Sequence, residues 1–183
     1  MQHYFVSESV KIGEQLILSD EIAHRIIKVR RSRTGETIEL VDAKQEPFLA
    51  EIIALKGNEV LVKIIAESPM RTELPVATTI FAGSSKSDKN EFLIQKATEF
   101  GATAIVFSNF EYTIAKIKDD KVAKKLERYQ KIAQQAAEQS RRLVVPTVQI
   151  IDKITDFDFT NYDQKFVAYE EAAKDGEKSV LHQ

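Results

Sequence analysis

Five cations, Arg25, Lys28, Arg30, Arg31 and Arg33, fall within nine positions, and no acid interrupts residues 22–35. On a helix running into a loop, several of these would share one side and form a phosphate-binding footprint. A solvated basic face has the same composition. The whole chain is slightly acidic, with 26 cations against 28 carboxylates and a net charge of −2. The cluster is thus a local segregation of charge, which favours nucleic acid, and Lys28, Arg31 and Arg33 are the residues expected on an RNA backbone.

A second group follows the run Val76–Ala82. The loop Gly83-Ser-Ser-Lys-Ser87 leads through Asp88 into Lys89–Phe100, which reads as an amphipathic helix. Loops of this kind lie at the C-terminal edge of a parallel sheet, where ligands bind. The phosphate-loop pattern G-x-x-x-x-G-K-[ST] and the dinucleotide pattern G-x-G-x-x-G are both absent. Lys86 and Lys89 remain able to hold a phosphate at the helix start. Asp88 is placed to act as N-cap with Glu91 three residues on, and Gly101 to supply a left-handed stop. Phe92, Leu93, Ala97 and Phe100 share one stripe, expected to face inward; Lys89, Gln95, Lys96 and Glu99 share the polar face.

The third group ends an Ala- and Gln-rich helix: Glu138, Gln139, Ser140, Arg141 and Arg142, followed by Leu-Val-Val-Pro146. Small residues on one face allow close backbone approach, so the polar groups at its end would stand beside the sheet. A packing helix with a basic C-terminus reads equally well. Metal chemistry has little support, since His3, His24 and His182 are scattered. The chain has no cysteine, which excludes disulfides and thiolate chemistry, and no nucleophile elbow for serine hydrolysis.

These groups need elements to hold them. Residues 1–70 read as a small β-rich barrel with one short helix: strands at Gln15–Leu18, Thr37–Val41, Phe48–Ile53 and Glu59–Ala66, with a helix through Ile22, Ile26 and Ile27 capped by Ser19 or Asp20. Residues 71–75 form a linker, within a stretch carrying two prolines. Residues 76–183 read as α/β. Apolar strands at Val76–Ala82 and Thr103–Phe107 flank the first helix, and near-continuous hydrophobic strands in this order signal a buried parallel sheet. A long helix follows from about Asp119 to Arg141, with Val122, Leu126, Tyr129, Ile132 or Ala133, and Ala136 or Ala137 inward. Thr147–Ile151 and Phe166–Tyr169 are further strands. The N-terminus has no signal-peptide pattern and no apolar run is long enough to span a bilayer, so a cytoplasmic protein is expected.

Four segments together resemble one family. Lys86-Ser-Asp-Lys-Asn-Glu-Phe-Leu-Ile-Gln-Lys-Ala-Thr-Glu-Phe-Gly101, Lys131-Ile-Ala-Gln-Gln-Ala-Ala-Glu-Gln-Ser-Arg-Arg-Leu-Val-Val-Pro146 and Phe166-Val-Ala-Tyr-Glu-Glu171 are similar to the RsmE family of ribosomal RNA methyltransferases. His24–Arg31 followed by Gly35–Asp42 is similar to that family's opening domain. The resemblance implies a PUA-like RNA-binding barrel followed by a SPOUT-type α/β domain whose C-terminal part forms a trefoil knot. It implies S-adenosylmethionine as cofactor with no metal, and a homodimer acting on 16S ribosomal RNA or the small subunit, at N3 of a uridine. That atom lies on the Watson–Crick edge, so the base must be unpaired or flipped.

On this resemblance Lys86, Lys89, Gln95 and Arg142 belong to the substrate cleft. Glu138, Gln139 and Ser140 support it, and Tyr169 and Glu170 lie where the first knot strand meets cofactor. The family's Gly-Pro-Glu-Gly-Gly and Leu-Gly-x-Arg-Ile-Leu-Arg stretches, which belong after Glu171, are absent. The knot region is therefore expected to be missing, no general base can be named, and the 183-residue chain is expected to be inactive alone. A non-catalytic RNA-binding or dimerisation module is the alternative.

Overall fold

The structure, a computed structural model, describes residues 1–109 and 119–168. Tyr169 and Glu170 lie outside the described residues.

The first unit contains β1 (His3–Phe5), β2 (Gln15–Ile17), α1 (Asp20–His24) continuing into a wider π-type turn at Arg25–Arg30, β3 (Thr37–Val41), β4 (Pro47–Lys56) and β5 (Glu59–Glu67). The strands form one sheet in the order β1-β3-β4-β5-β2, antiparallel except for β1 beside β3. Alternation sends Ile38 and Leu40, Phe48, Ala50 and Ile52, and Val60, Val62 and Ile64 into one core, which Ile22, Ala23 and Ile26 cover from α1 and the turn. Two register shifts between β4 and β5, at Leu49/Ala50 and Ile52/Ala54, bend the pair. Gly57 joins them with φ 60°, the positive value that the first central residue of a two-residue hairpin needs. β1 went unread in the sequence.

The second unit contains β6 (Thr79–Gly83), α2 (Ser87–Glu99), β7 (Ala104–Ser108), α3 (Asp119–Gln139) and β8 (Thr147–Ile151). β6, β7 and β8 are parallel and adjacent in that order. α2 and α3 pack together over Ile105, Phe107 and Val148. Tyr129, Ala133, Ala136 and Ala137 of α3 are buried, on the face the periodicity gives. On the opposite side of the sheet, Phe81 meets Phe157 and Phe159 at 5.3 and 5.5 Å between ring centroids.

Three expectations need correcting. α2 begins at Ser87 with Lys86 as N-cap and no side-chain cap bond, so Asp88 sits in the first turn instead of preceding it. Its inward row is Asn90, Ile94 and Thr98, at i, i+4 and i+8, with Leu93 and Ala97 at the flank. Phe92 and Phe100 point outward and are 62% and 81% exposed. The hydrophobic stripe misleads because Asn90 and Thr98 find internal partners, Asn90 on Tyr129 and Thr98 on the carbonyl oxygen of Ile94, and so are free to take the buried row. Finally, residues 166–168 form no strand, and Phe166 and Val167 are exposed.

Candidate functional site

The basic cluster divides in two. Lys28, Arg30, Arg31 and Arg33 are exposed around the π-type turn. A π-type turn adds a residue per turn and displaces side chains from α-helical register, which fans these cations apart. Arg31 closes the turn in the left-handed region, φ 56°, while the Ser32 N–H reaches back to the carbonyl oxygen of Ile26 at 3.1 Å. Arg25 turns inward. Both its terminal nitrogens donate to the Glu138 carboxylate, one of them at 3.0 Å, and its guanidinium lies 4.9 Å from the Tyr4 ring centroid. Burial pushes the Tyr4 hydroxyl above its usual range, so it stays neutral beside this cation. Arg25 therefore serves the joint between the two units, and the open cationic surface consists of its four neighbours.

Charge reversal at Arg31 and Arg33 should weaken binding to a single-stranded RNA and lower the slope of log affinity against log salt by about 2, one per lost phosphate contact. An unchanged slope would remove this surface from RNA binding.

The end of α3 builds the rest of the joint. Arg141, φ 56°, occupies the left-handed position usually taken by glycine. The Arg141 N–H donates to the Glu138 carbonyl oxygen and the Arg142 N–H to that of Ala137, the pattern of a Schellman stop. This reversal throws the two arginines apart. Arg141 Nη2 donates to Glu39 of β3 at 2.9 Å. Glu39, fully buried, also accepts from Ser68 Oγ at 2.6 Å and stands 3.1 Å from Nδ1 of His3. The other ring nitrogen of His3 lies 2.8 Å from the Arg142 carbonyl oxygen. Burial alone would raise the Glu39 carboxyl. Hydrogen bonds from Ser68, Arg141 and His3 outweigh it and hold the group below the usual carboxylate range.

Arg142 is the residue the structure puts to a different use. Expected in a substrate cleft, it is 3% exposed and fully engaged. Its guanidinium bonds Glu73 through Nε (3.3 Å) and Nη2, the Thr98 carbonyl oxygen at 3.2 Å, and the Ala102 carbonyl oxygen. Glu73 further accepts the N–H groups of Leu143 at 2.7 Å and Val144 at 3.2 Å. Burial pushes the Glu73 carboxyl up, but the Arg142 bond and these amides hold it below its usual range. Glu138 is likewise taken up, by Arg25 and by Gln134 Nε2 at 3.3 Å. Ser140 Oγ donates to the Ala136 carbonyl oxygen at 2.7 Å, and Gln139 is exposed.

Lys86 and Lys89 stand exposed at the C-terminal edge of the sheet, as expected of their loop. Gln95 donates to Glu99 at 3.0 Å on the polar face of α2. An open groove of about 600 Å³ runs beside that helix, lined by Ile80, Asp88, Lys89, Phe92, Leu93, Lys96 and Ala97. It does not suit S-adenosylmethionine. Two cations, Lys89 and Lys96, stand against one carboxylate, Asp88, in its lining, a net positive charge that disfavours a sulfonium. Among the described residues no cluster of three or more His, Cys, Asp or Glu could hold a metal, and no helix is long and apolar enough to cross a membrane.

The joint role of His3, Glu39 and Glu73 was missed in the sequence, and Arg141 was named only within the polar end of its helix. Their pairings, 102 positions apart for Arg141 and Glu39 and 69 for Arg142 and Glu73, exist only after folding. The one local signal was Glu39 at the centre of the apolar run Ile38–Val41, a position that demands partners.

Comparison with known proteins places the whole arrangement. Residues 18–65 match the model of an RNA methyltransferase PUA domain, and residues 72–183 that of an RNA methyltransferase domain. Ribosomal RNA small subunit methyltransferase E of Bacillus subtilis is 34% identical over 99% of this chain and 73% of its own length. The protein of the same name from Buchnera aphidicola is 26% identical over 80% of this chain and 58% of its own. A crystal structure of ribosomal RNA small subunit methyltransferase E from Neisseria gonorrhoeae, bound to S-adenosyl methionine, superposes with a TM-score of 0.76 at 33% identity, covering 83% of this chain and 62% of that one. The chain thus spans between about half and three quarters of the length of these relatives. This chain, a PUA domain joined by partly buried ion pairs to a parallel α/β domain and matched along nearly its full length, belongs to the RsmE family of RNA methyltransferases.

Proposed function

We propose that this chain supplies the RNA-binding domain and the first part of the catalytic domain of an enzyme that transfers a methyl group from S-adenosylmethionine to N3 of a uridine in 16S ribosomal RNA. It would act in the cytoplasm as a homodimer. The observation that carries the reading is the tandem match of PUA and methyltransferase domains to a named small-subunit methyltransferase over 99% of the chain. The geometry adds two supports. Four exposed cations ring the π-type turn of the first domain, and Lys86 and Lys89 project from the sheet edge of the second. The ion pairs between Arg25 and Glu138 and between Arg141 and Glu39 fix the two surfaces relative to each other. An RNA bound by one domain then meets the other in a set orientation, which lowers the entropic cost of placing a single base. Tyr169 and Glu170, the residues expected to meet the cofactor, lie outside the described residues, so no step of the transfer is assigned here.

A methyl on N3 blocks Watson–Crick pairing, and reverse transcriptase stops at such a base. Deleting the gene should abolish one stop in 16S ribosomal RNA, and restoring it should bring the stop back. Stops unchanged by deletion would overturn the reading. With RNA binding retained, that outcome leaves a non-catalytic RNA-binding module.

A further inference from the structure

Asn90 is a buried amide on the inward row of α2, 1% exposed. Left without partners there, it would destabilise the fold. Its Oδ1 accepts two bonds from the preceding loop, the Ser85 N–H at 3.0 Å and the Ser85 hydroxyl at 2.8 Å. Its Nδ2 donates to the Tyr129 hydroxyl at 3.1 Å. Tyr129 comes from α3, is fully buried, and leans on Phe107 of β7 with ring centroids 5.5 Å apart.

A chain of contacts therefore runs from β7 through α3 and α2 to Ser85. The neighbours of Ser85 are also held. The Ser84 N–H donates to the Ser108 carbonyl oxygen at 2.8 Å, and the Lys86 carbonyl oxygen accepts the N–H groups of Lys89 at 2.9 Å and Asn90 at 3.2 Å. The N-cap Lys86 offers no capping side chain. Asn90 ties the loop down from inside the helix instead, which leaves the Lys86 ammonium exposed on a fixed backbone.

We propose that Asn90, braced by Tyr129, is a positioning residue that fixes the Ser84–Lys86 loop so that Lys86 meets a backbone phosphate of the RNA substrate. This rests on the RNA reading given above. A filler of the core would serve stability alone. A positioning residue couples to Lys86.

The test is a double-mutant cycle on the 183-residue chain, reading affinity for a fluorescein-labelled single-stranded oligouridylate as a function of salt. Lys86→Ala should weaken binding about threefold and lower the salt slope by about 1. Asn90→Leu, of similar shape, should do the same with Lys86 present, and the double variant should bind no worse than Lys86→Ala. Wild-type affinity in a folded Asn90→Leu, or additive losses in the double variant, would overturn the proposal. No effect of Lys86→Ala would instead refute contact between this loop and RNA, and the proposal with it, while binding through Arg31 and Arg33 would remain intact. If Asn90→Leu does not fold, Tyr129→Phe removes only the hydroxyl that braces the amide. Faster hydrogen exchange at the Ser85 N–H together with a lower salt slope supports the coupling, and wild-type values of both refute it.

Discussion

Glu73→Ala should lower the free energy of unfolding by about 3–5 kcal/mol, the range for removing one partner of a buried ion pair. The carboxylate accepts from two nitrogens of Arg142 and from the Leu143 and Val144 N–H groups. Without it, a guanidinium that is 3% exposed keeps only the Thr98 and Ala102 carbonyl oxygens, which cannot neutralise it. Two amides lose their acceptor as well. Glu73→Gln retains an acceptor for one side and should lose about half as much. Glu73→Leu combined with Arg142→Met should be less damaging than Glu73→Ala alone, because no charge is then stranded. Urea unfolding of the four proteins checks the order. A Glu73→Ala protein within about 1 kcal/mol of wild type would mean that Arg142 finds water, contrary to its burial.

Glu39→Gln should cost about 2 kcal/mol at neutral pH and change the shape of the acid transition. The carboxylate is buried on β3 and bonded by Ser68, Arg141 and His3, so its folded pKa lies below the unfolded one. Such a group contributes its stability above the unfolded carboxylate range and loses it as pH falls through the folded value. Arg141 is 45% exposed, so solvent screens part of its share and the cost stays below that at Glu73. The wild-type and Glu39→Gln stability curves should lie apart at neutral pH and converge on acidification, as the wild-type carboxyl takes up its proton. Parallel curves would place the charge of Glu39 outside the energetics of the joint. Since Glu39 meets Arg141 across the two units, the variant should also raise hydrogen exchange around the end of α3.

The same joint separates what could be read from the chain from what could not. The near-continuous strands Thr79–Gly83, Ala104–Ser108 and Thr147–Ile151, and the α3 face through Tyr129, Ala133 and Ala137, follow from periodicity, since burial on both faces of a sheet or one face of a helix is a local demand. The exposed cations after residue 27 and the loop at Lys86 were legible for the same reason, as runs of one kind of residue beside an element boundary. The inward row of α2 was not. Asn90 and Thr98 look like surface residues until Tyr129 and a backbone carbonyl make their burial tolerable, and Phe92 and Phe100 yield the inner face to them.

The fates of the arginines were the least legible of all. Arg25, Arg31, Arg141 and Arg142 have one side-chain chemistry and lie in similar basic stretches. Two bridge the units, Arg141 from a half-exposed position; Arg142 is sealed against Glu73 and two carbonyl oxygens, and Arg31 stands open to water. Sequence by itself carried the motifs that resemble the family, and it showed the order of the domains and where positive charge gathers, because element periodicity and charge runs are local. Which charges hold the molecule together and which stay open to solvent was decided by contacts across 69 to 113 positions, and an ion pair at that range is set by the packing of whole elements.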